Sequence, residues 1–236
     1  MQPDPTRSEI ETLTDLLGDF AAPGWSPDRA VEAFDLVADR YRSLSESYVE
    51  AARAIDNTLT PSFRVEDGCR AVLRIAHRVL FADILTNAGQ TRQAGDPGGS
   101  AVYYGGQKGQ RHQSRFEGTP AAQIEDGLDA AFARLQDYRG KPGGRDRARD
   151  EAVRFYADLS RIHPFYDANG RTGRFVISVY LHLHGWLVEW GRLEKKDAEF
   201  LKRINNVIEK GTAQTDYDSF LVSFWRRYVV PTEGLE

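Results

Sequence analysis

The chain has 236 residues, of which 41% are hydrophobic, and this is enough apolar material for the core of one domain with extensions. Its 31 lysines and arginines against 35 aspartates and glutamates give a net charge of −4, and no block of like charge indicates a nucleic-acid partner. The single cysteine, Cys69, excludes an internal disulfide and a cysteine-based zinc site, and it agrees with a reducing cytoplasm.

The first 13 residues have no basic stretch followed by an apolar run, so we expect no secretory signal peptide. The longest apolar stretch, 175–190, contains two histidines and a glutamate, and its 16 residues are few for a bilayer span. This stretch predicts a buried core helix. We therefore expect no membrane partner and a cytoplasmic location.

Apolar residues at helical spacing predict that the amino-terminal third is helical. A short helix is expected at 8–17, and a longer one from about Asp28 towards Ile55. A third is expected at 67–87 and closes at Gly89. The buried face of that third helix is predicted to consist of Val72, Ile75, Ala76, Val79 and Leu80.

The composition changes between residues 90 and 118, where glycine is frequent and no helical period is present. The triplets Val102–Tyr104 and Ser114–Phe116 flank a polar run, which indicates a β-hairpin or a mobile loop. Helices are expected again at 120–135, 146–162, from 172 onwards, at 194–209 and at 217–228. The fold class is therefore all-α with one small β-hairpin. We expect residues 1–90 to be a helical extension packed on a core of residues 91–236, together one compact domain.

The residues that can carry chemistry lie between two of these helices, at 163–174, in the sequence HPFYDANGRTGR. A helix start leaves its first N–H groups unpaired and carries a partial positive charge, so the helix expected from Thr172 can cradle phosphate oxygens. Gly170 and Gly173 would let a ligand approach the backbone closely. Arg171 and Arg174 are three residues apart, so both guanidinium groups can reach one anion.

Two further side chains in this loop suit phosphate chemistry. Asp167 is its only carboxylate, and Mg²⁺ bound to phosphates takes one or two protein carboxylates, so Asp167 is the predicted metal ligand. His163 has an ordinary pKa suited to proton transfer near neutrality, which makes it the candidate general base. Phe165, between polar neighbours, is expected to turn inward and anchor the loop.

These twelve residues resemble the Fic motif, H-x-F-x-(D/E)-(A/G)-N-(G/K)-R-x-x-R, at every defined position. The order of hairpin, two helices, motif loop and helix extends the resemblance from about Tyr103 to Tyr228. The resemblance implies a Fic-type helical bundle in which the hairpin, at about 100–118, is the flap. It also implies a protein adenylyltransferase, or AMPylase, that uses ATP and Mg²⁺.

By this resemblance, His163 would deprotonate a Ser, Thr or Tyr hydroxyl of a target protein, which then attacks the α-phosphate of ATP. Asp167 would hold Mg²⁺ between the α- and β-phosphates. The phosphate chain would be bound by Asn169, by the amides around Gly170 and Gly173, and by Arg171 and Arg174.

The flap would pair with an extended segment of the target, with Tyr103 and Tyr104 as the candidate contacts. Gly170, where some relatives have lysine, favours adenylyl transfer over transfer of the terminal phosphate. The adenine-binding residues are expected within Phe200–Asn206. Family members also act as toxins or as effectors delivered into another cell.

Many family members are inhibited by a helix with the motif (S/T)-x-x-x-E-(G/N), whose glutamate pairs with the second arginine. The nearest match here is Ser62–Asp67, with Ser62 and Glu66 at the right spacing but Asp67 at the last position. The alternative is that Ser62–Asp67 is a capped turn leading into the next helix. In that case a small antitoxin-like protein would inhibit the enzyme, or inhibition would be absent.

Two other functions remain open. The same site could transfer UMP, a phosphate or phosphocholine, because the motif mainly binds a diphosphate. Alternatively, the chain could be a nucleotide-binding regulatory module. The presence of both His163 and Asp167 disfavours that module, since a binder needs no base.

Overall fold

The structure, a computed structural model, describes residues 7–97, 103–104, 116–194 and 215–232. These ranges are mostly helical, which confirms the predicted fold class. The α-helices are α1 (Arg7–Phe20), α2 (Ala30–Glu46), α3 (Tyr48–Thr58), α4 (Val65–Phe81), α5 (Ile124–Phe132), α6 (Gly144–Ile162), α7 (Asn169–Leu183), α8 (Trp190–Glu194) and α9 (Thr215–Trp225). Short 3₁₀ turns at Pro27–Arg29 and Ala121–Gln123 precede α2 and α5.

Four short strands form two antiparallel pairs. β1 (Tyr103–Tyr104) pairs with β2 (Phe116–Glu117), which is the predicted hairpin. β3 (Trp186–Val188) pairs with β4 (Val229–Pro231), with Leu187 opposite Val230. The sequence did not predict this second pair: the apolar stretch 175–190 was expected to be one helix. That helix instead ends at Leu183, because Gly185 takes the left-handed conformation (φ 76°) that terminates helices.

α7 is the central helix. It packs against α2, α3, α4 and α6 and leads directly into β3. Its buried residues point in all directions: Phe175, Val176, Ile177, Val179, Tyr180 and Leu181. A helix that is apolar on every side is a buried core helix, as the sequence predicted. Because α7 begins at the predicted motif loop, the loop is attached directly to the buried central helix.

The predicted buried face of α4 is wrong in part. Ile75 and Val79 are 56% and 39% exposed, whereas Leu73 is 1% exposed. The buried residues are Val65, Gly68, Cys69, Leu73, Ala76, His77, Leu80 and Phe81. The inward face includes a histidine and a glycine, so a search for apolar residues alone places the face too far round the helix.

Several helix boundaries differ from the predicted ones. The helix expected from Asp28 towards Ile55 is two helices that meet at Ser47, and α4 ends at Phe81, before the predicted end at 87. α6 and α9 lie close to their predicted places. The helix expected at 194–209 falls almost entirely outside the described residues. None of the helices within the described ranges has the length and apolar character needed to cross a membrane.

Candidate active site

The motif loop joins α6 to α7 through two residues in the left-handed region. His163, at the end of α6, has φ 51° and ψ 60°, and Ala168, before α7, has φ 59° and ψ 14°. This conformation costs a non-glycine residue about 1–2 kcal/mol. The loop therefore keeps its shape because surrounding contacts stabilise it.

His163, the candidate base, closes α6 by donating its backbone N–H to the carbonyl of Leu159 at 2.9 Å. Burial lowers the pKa of His163 to about 4, and the charge of Arg92 acts in the same direction. The backbone of Ser160 and the charge of Asp167 oppose this shift in the pKa. At neutral pH the imidazole is therefore uncharged and able to accept a proton.

Phe165 anchors the loop, as predicted. Its side chain is fully buried, and its ring stacks on that of His77 with centroids 4.0 Å apart and planes 19° apart. The Nδ1 atom of His77 accepts the backbone N–H of Gly89 at 2.9 Å. Burial lowers the pKa of His77 to about 3, so this ring stays neutral. It supports the loop by stacking on Phe165.

Asn169 shapes the loop from within. Its Oδ1 accepts the backbone N–H of Phe165 at 2.9 Å, and its Nδ2 donates to the Phe165 carbonyl at 2.8 Å. Both bonds are buried, and together they close a turn between the loop and the first residue of α7. The predicted phosphate contact of Asn169 stays a prediction, since both side-chain polar atoms bind the loop backbone here.

α7 begins at Asn169, three residues before the predicted start at Thr172. The backbone N–H of Thr172 donates to the carbonyl of Ala168 at 2.9 Å. The N–H groups of residues 169–171 come before this first helical bond. At a helix start such N–H groups have no intrahelical acceptor and can donate to an anion. Gly170 lies among these donors and is exposed, so a phosphate can approach them.

Gly173 has a packing role that the sequence did not predict, and its predicted phosphate contact stays a prediction. A Cβ atom at this position would lie 2.8 Å from Cδ2 of Leu159 and 2.8 Å from Cε2 of Tyr156. Gly173 is buried against α6, so the missing side chain allows two helices to come close. At Gly170 a Cβ atom would meet only the hydroxyl of Tyr156, at 3.5 Å.

Asp167 and Arg171 form an ion pair across the start of α7. The Oδ2 of Asp167 accepts from Nη2 of Arg171 at 3.0 Å, and its Oδ1 accepts the N–H of Ala168 at 2.6 Å. The Asp167 side chain is 25% exposed. A partly exposed carboxylate beside N–H groups that can bind phosphate fits Mg²⁺. This ion keeps several waters and takes other ligands from substrate phosphates. No group of three or more potential metal ligands occurs among the described residues.

Arg174 lies between aromatic rings from two helices. Its guanidinium carbon is 5.9 Å from the ring centroids of Tyr41 on α2 and Trp190 on α8. Trp190 donates to the hydroxyl of Ser178 at 2.9 Å, which itself donates to the Arg174 carbonyl at 2.9 Å. A cavity of about 70 Å³ opens beside these residues. Arg171 and Arg174 thus contact different neighbours, and their predicted shared anion stays a prediction.

Within the expected flap, at about 100–118, the structure describes residues 103–104 and 116–118. Tyr103 is opposite Glu117, and Tyr104 is opposite Phe116. The remaining residues of the expected flap lie outside the described residues, as does the expected adenine-binding stretch Phe200–Asn206. The contacts predicted for Tyr103 and Tyr104 therefore stay predictions.

The candidate inhibitory segment forms the start of α4. Ser62 lies 3.2 Å from the hydroxyl of Thr60, and Glu66 forms an ion pair with Arg64 at 3.1 Å. The N–H of Arg64 donates to Asp67 at 3.0 Å, so the capped turn expected as the alternative is present. Glu66 lies 11 residues, or roughly 16 Å along the helix, before the histidine that contacts the motif loop. Its inhibitory role stays a prediction.

One further residue that contacts the loop was not predicted. Arg92 is 1% exposed and lies 71 residues from His163 in sequence. Its guanidinium donates to the carbonyls of His163 at 2.9 Å, Ile162 at 3.3 Å and Thr119 at 2.7 Å. Such long-range contacts leave no periodic signal in a single sequence.

A comparison with protein families matches residues 69–181 to the model of the Fic/DOC family. Residues 69–181 therefore form a Fic/DOC domain. The match contains the whole motif loop, the strands β1 and β2 and helices α5 and α6, together with most of α4 and of α7. The boundary expected at residue 90 between the extension and the Fic core stays a prediction.

Solved Fic structures share this fold. The N-terminal Fic domain of a VirB-translocated Bep effector protein from Bartonella quintana, with bound ADP, has a TM-score of 0.52 at 19% identity and covers 84% of this chain and 88% of that one. BepC from Bartonella tribocorum, with bound AMPPNP, has a TM-score of 0.50 at 18% identity, covering 82% and 88%. A Fic domain containing signaling protein from Bacteroides thetaiotaomicron has a TM-score of 0.52 at 15% identity, covering 81% and 69%.

A comparison with the curated proteins found no match. The Fic/DOC domain indicates a transferase of the Fic type.

Proposed function

We propose that this protein is a protein adenylyltransferase that moves AMP from ATP to a Ser, Thr or Tyr hydroxyl of a target protein. One observation carries the proposal. A neutral, partly buried histidine and an exposed helix start lie at the two ends of one loop, with a partly exposed carboxylate between them. ADP and AMPPNP in related Fic structures support a nucleotide as the donor.

In the proposed reaction, the target hydroxyl oxygen attacks the α-phosphorus of ATP as its proton passes to the neutral imidazole of His163. A new oxygen–phosphorus bond forms, the bond between the α-phosphorus and its bridging oxygen to the β-phosphate breaks, and pyrophosphate leaves. The N–H groups of residues 169–171 and the guanidinium of Arg171 bind the phosphates, with Arg174 further along α7. Asp167 would hold Mg²⁺, which neutralises phosphate charge when bound. The rate gain comes from positioning and charge stabilisation.

The transferred group is the finer part of the proposal. Gly170, in place of the lysine of some relatives, supports AMP over the terminal phosphate. UMP, phosphate and phosphocholine are the alternatives for the same site, and a nucleotide-binding regulatory module is the alternative without transfer. The mass added to a protein distinguishes all of these.

We further propose that the flap strands align an extended segment of the target protein beside His163 by strand addition. The relatives from Bartonella are named as translocated effectors, which supports a protein target in another cell. For control of the enzyme we propose either Glu66 or a small antitoxin-like protein.

The test is the intact mass of the protein after incubation with ATP and Mg²⁺, because Fic proteins often modify themselves. His163→Ala should reduce the rate at which the AMP-sized mass gain appears by about 100-fold or more, since a general base contributes about 10²–10⁴-fold to the rate. His182→Ala is the matched control: His182 is a half-buried histidine of α7 outside the motif whose pKa is also lowered by burial. Transfer that survives His163→Ala, or a gain of a different mass, would refute the proposal.

Regulation by Glu66 needs a separate comparison. Glu66→Gly should raise the rate of self-modification if Glu66 inhibits the enzyme. Asp67→Gly, which alters the same helix start, is its control. Equal effects of both variants would show that only the capped turn is disturbed and would favour inhibition by a partner.

A further inference from the structure

We propose that Arg92 is a positioning residue that fixes His163 relative to the flap. This inference rests on the adenylyltransferase function proposed above. It is carried by the contacts of buried Arg92, which joins the end of α6 and the segment after β2 to the segment that carries Arg92 itself.

The first part is the end of α6. Arg92 donates from Nε to the carbonyl of His163 at 2.9 Å and from Nη2 to that of Ile162 at 3.3 Å. Its backbone N–H donates to the carbonyl of Pro164 at 2.9 Å. Carbonyls at a helix end have no intrahelical partner and carry partial negative charge, so a cation there is favourable. Arg92 thus binds three successive carbonyls at the turn where the motif begins.

The second part is the segment that leaves the flap. Nη2 of Arg92 also donates to the carbonyl of Thr119 at 2.7 Å, two residues after β2. The N–H of Thr119 donates to the carbonyl of Ile162 at 3.2 Å, which reinforces the same junction. The strand that would align a target and the histidine that would deprotonate it therefore share one buried attachment.

The third part is the segment that carries Arg92 itself. The neighbouring Thr91 donates its hydroxyl to Glu125 on α5 at 3.0 Å. Glu125 also pairs with Arg70 and Arg74 of α4 at 2.9 and 2.8 Å. Arg92 is therefore presented from a fixed position, and its planar, fork-shaped guanidinium can bind several carbonyls where a lysine ammonium is a point charge.

These contacts have two consequences for His163. They hold its backbone in the left-handed region, which directs the ring, and they place a positive charge close to the ring. The groups that act on the imidazole are this charge, the Asp167 carboxylate and the Ser160 backbone, together with burial. Removing the Arg92 charge should raise the pKa of His163, because the protonated ring is then less disfavoured.

The experiment compares Arg92→Gln, which removes the charge, with Arg92→Lys, which keeps the charge but lacks the fork-shaped guanidinium. The control is Arg145→Gln. Arg145 also donates to a backbone carbonyl, that of Gly185, but lies 18 residues, or roughly 27 Å along α6, from His163. The self-modification rate is measured against pH and ATP concentration. The pKa of His163 is measured by NMR titration of the five histidines, with His163→Gln to assign the signal.

Arg92→Gln should lower the maximal rate about 10- to 100-fold with little change in the ATP concentration for half-maximal rate, since small misplacements near the chemistry cost about 10²-fold. It should also raise the His163 pKa, which moves the acidic limb of the rate profile to higher pH. Arg92→Lys should lower the rate less and leave the pKa unchanged. Arg145→Gln should leave both unchanged.

A wild-type rate and pKa in folded Arg92→Gln would overturn the proposal, as would an equal loss of rate in Arg145→Gln. If Arg92→Gln does not fold, Arg92→Lys decides, and a wild-type rate in that variant overturns the role of the fork. If the wild type transfers nothing, the proposed function fails, yet the NMR titration still tests whether Arg92 acts on His163.

Discussion

Gly173 provides a sharp test of how the motif is built, because the same motif contains its control. In Gly173→Ala the new methyl group would lie 2.8 Å from both Leu159 and Tyr156, which are 1% and 5% exposed. Neither neighbour can move into solvent. Overpacking of this kind lowers the free energy of unfolding by about 1–3 kcal/mol. Alanine raises it by about 0.5–1 kcal/mol, because it is a better helix former than glycine.

The expected result is a net loss of up to about 2.5 kcal/mol, or up to roughly 10 °C in Tm for a chain of this size. Gly170→Ala meets only one hydroxyl at 3.5 Å and should be neutral or slightly stabilising. Urea unfolding followed by tryptophan fluorescence measures both variants without any substrate. A Gly173→Ala protein as stable as Gly170→Ala would refute the packing role of Gly173.

Three further outcomes are expected. Asn169→Leu should lose about 2–4 kcal/mol in urea unfolding, because two buried backbone groups of the loop lose their partners; a smaller loss than in a surface Asn57→Leu control would contradict this. Leu73→Ala should cost about 2–5 kcal/mol and Ile75→Ala less than about 0.5, which tests the corrected face of α4 by thermal unfolding. The folded state should lose stability as the pH falls from about 6.5 towards 4, because His77 and His163 protonate more readily in the unfolded chain than in the folded one. His77→Asn should flatten that slope, and an unchanged slope would count against the lowered pKa.

The sequence predicted those parts of the fold that depend on local pattern. The helical class, the flap strands and the inward Phe165 follow from spacing and from a dense run of functional residues. The helix start was predicted three residues late, since Asn169 reads as a loop residue until its bonds to the loop backbone are seen.

The features that were missed depend on contacts between distant segments. β3 and β4 are three residues each and lie 40 residues apart, too short to show a strand period. The packing of Gly173 against α6 has no sequence signal, because a sequence cannot show which side of a helix another helix covers. In the sequence, Arg92 is indistinguishable from a surface cation. Only the structure shows that it is buried against the first residues of the motif.

The amino-terminal support of the motif loop sets a lower limit on any functional fragment of this protein. The ring of Phe20 in α1 lies 5.4 Å from that of Tyr166 in the loop, and His77 in α4 stacks beneath Phe165. A truncated chain beginning at residue 91 would keep all twelve motif residues and yet lose both of these aromatic supports. Grafting the motif with its carboxy-terminal helices into another scaffold would therefore transfer the residues of the site without the aromatic contacts that support the loop.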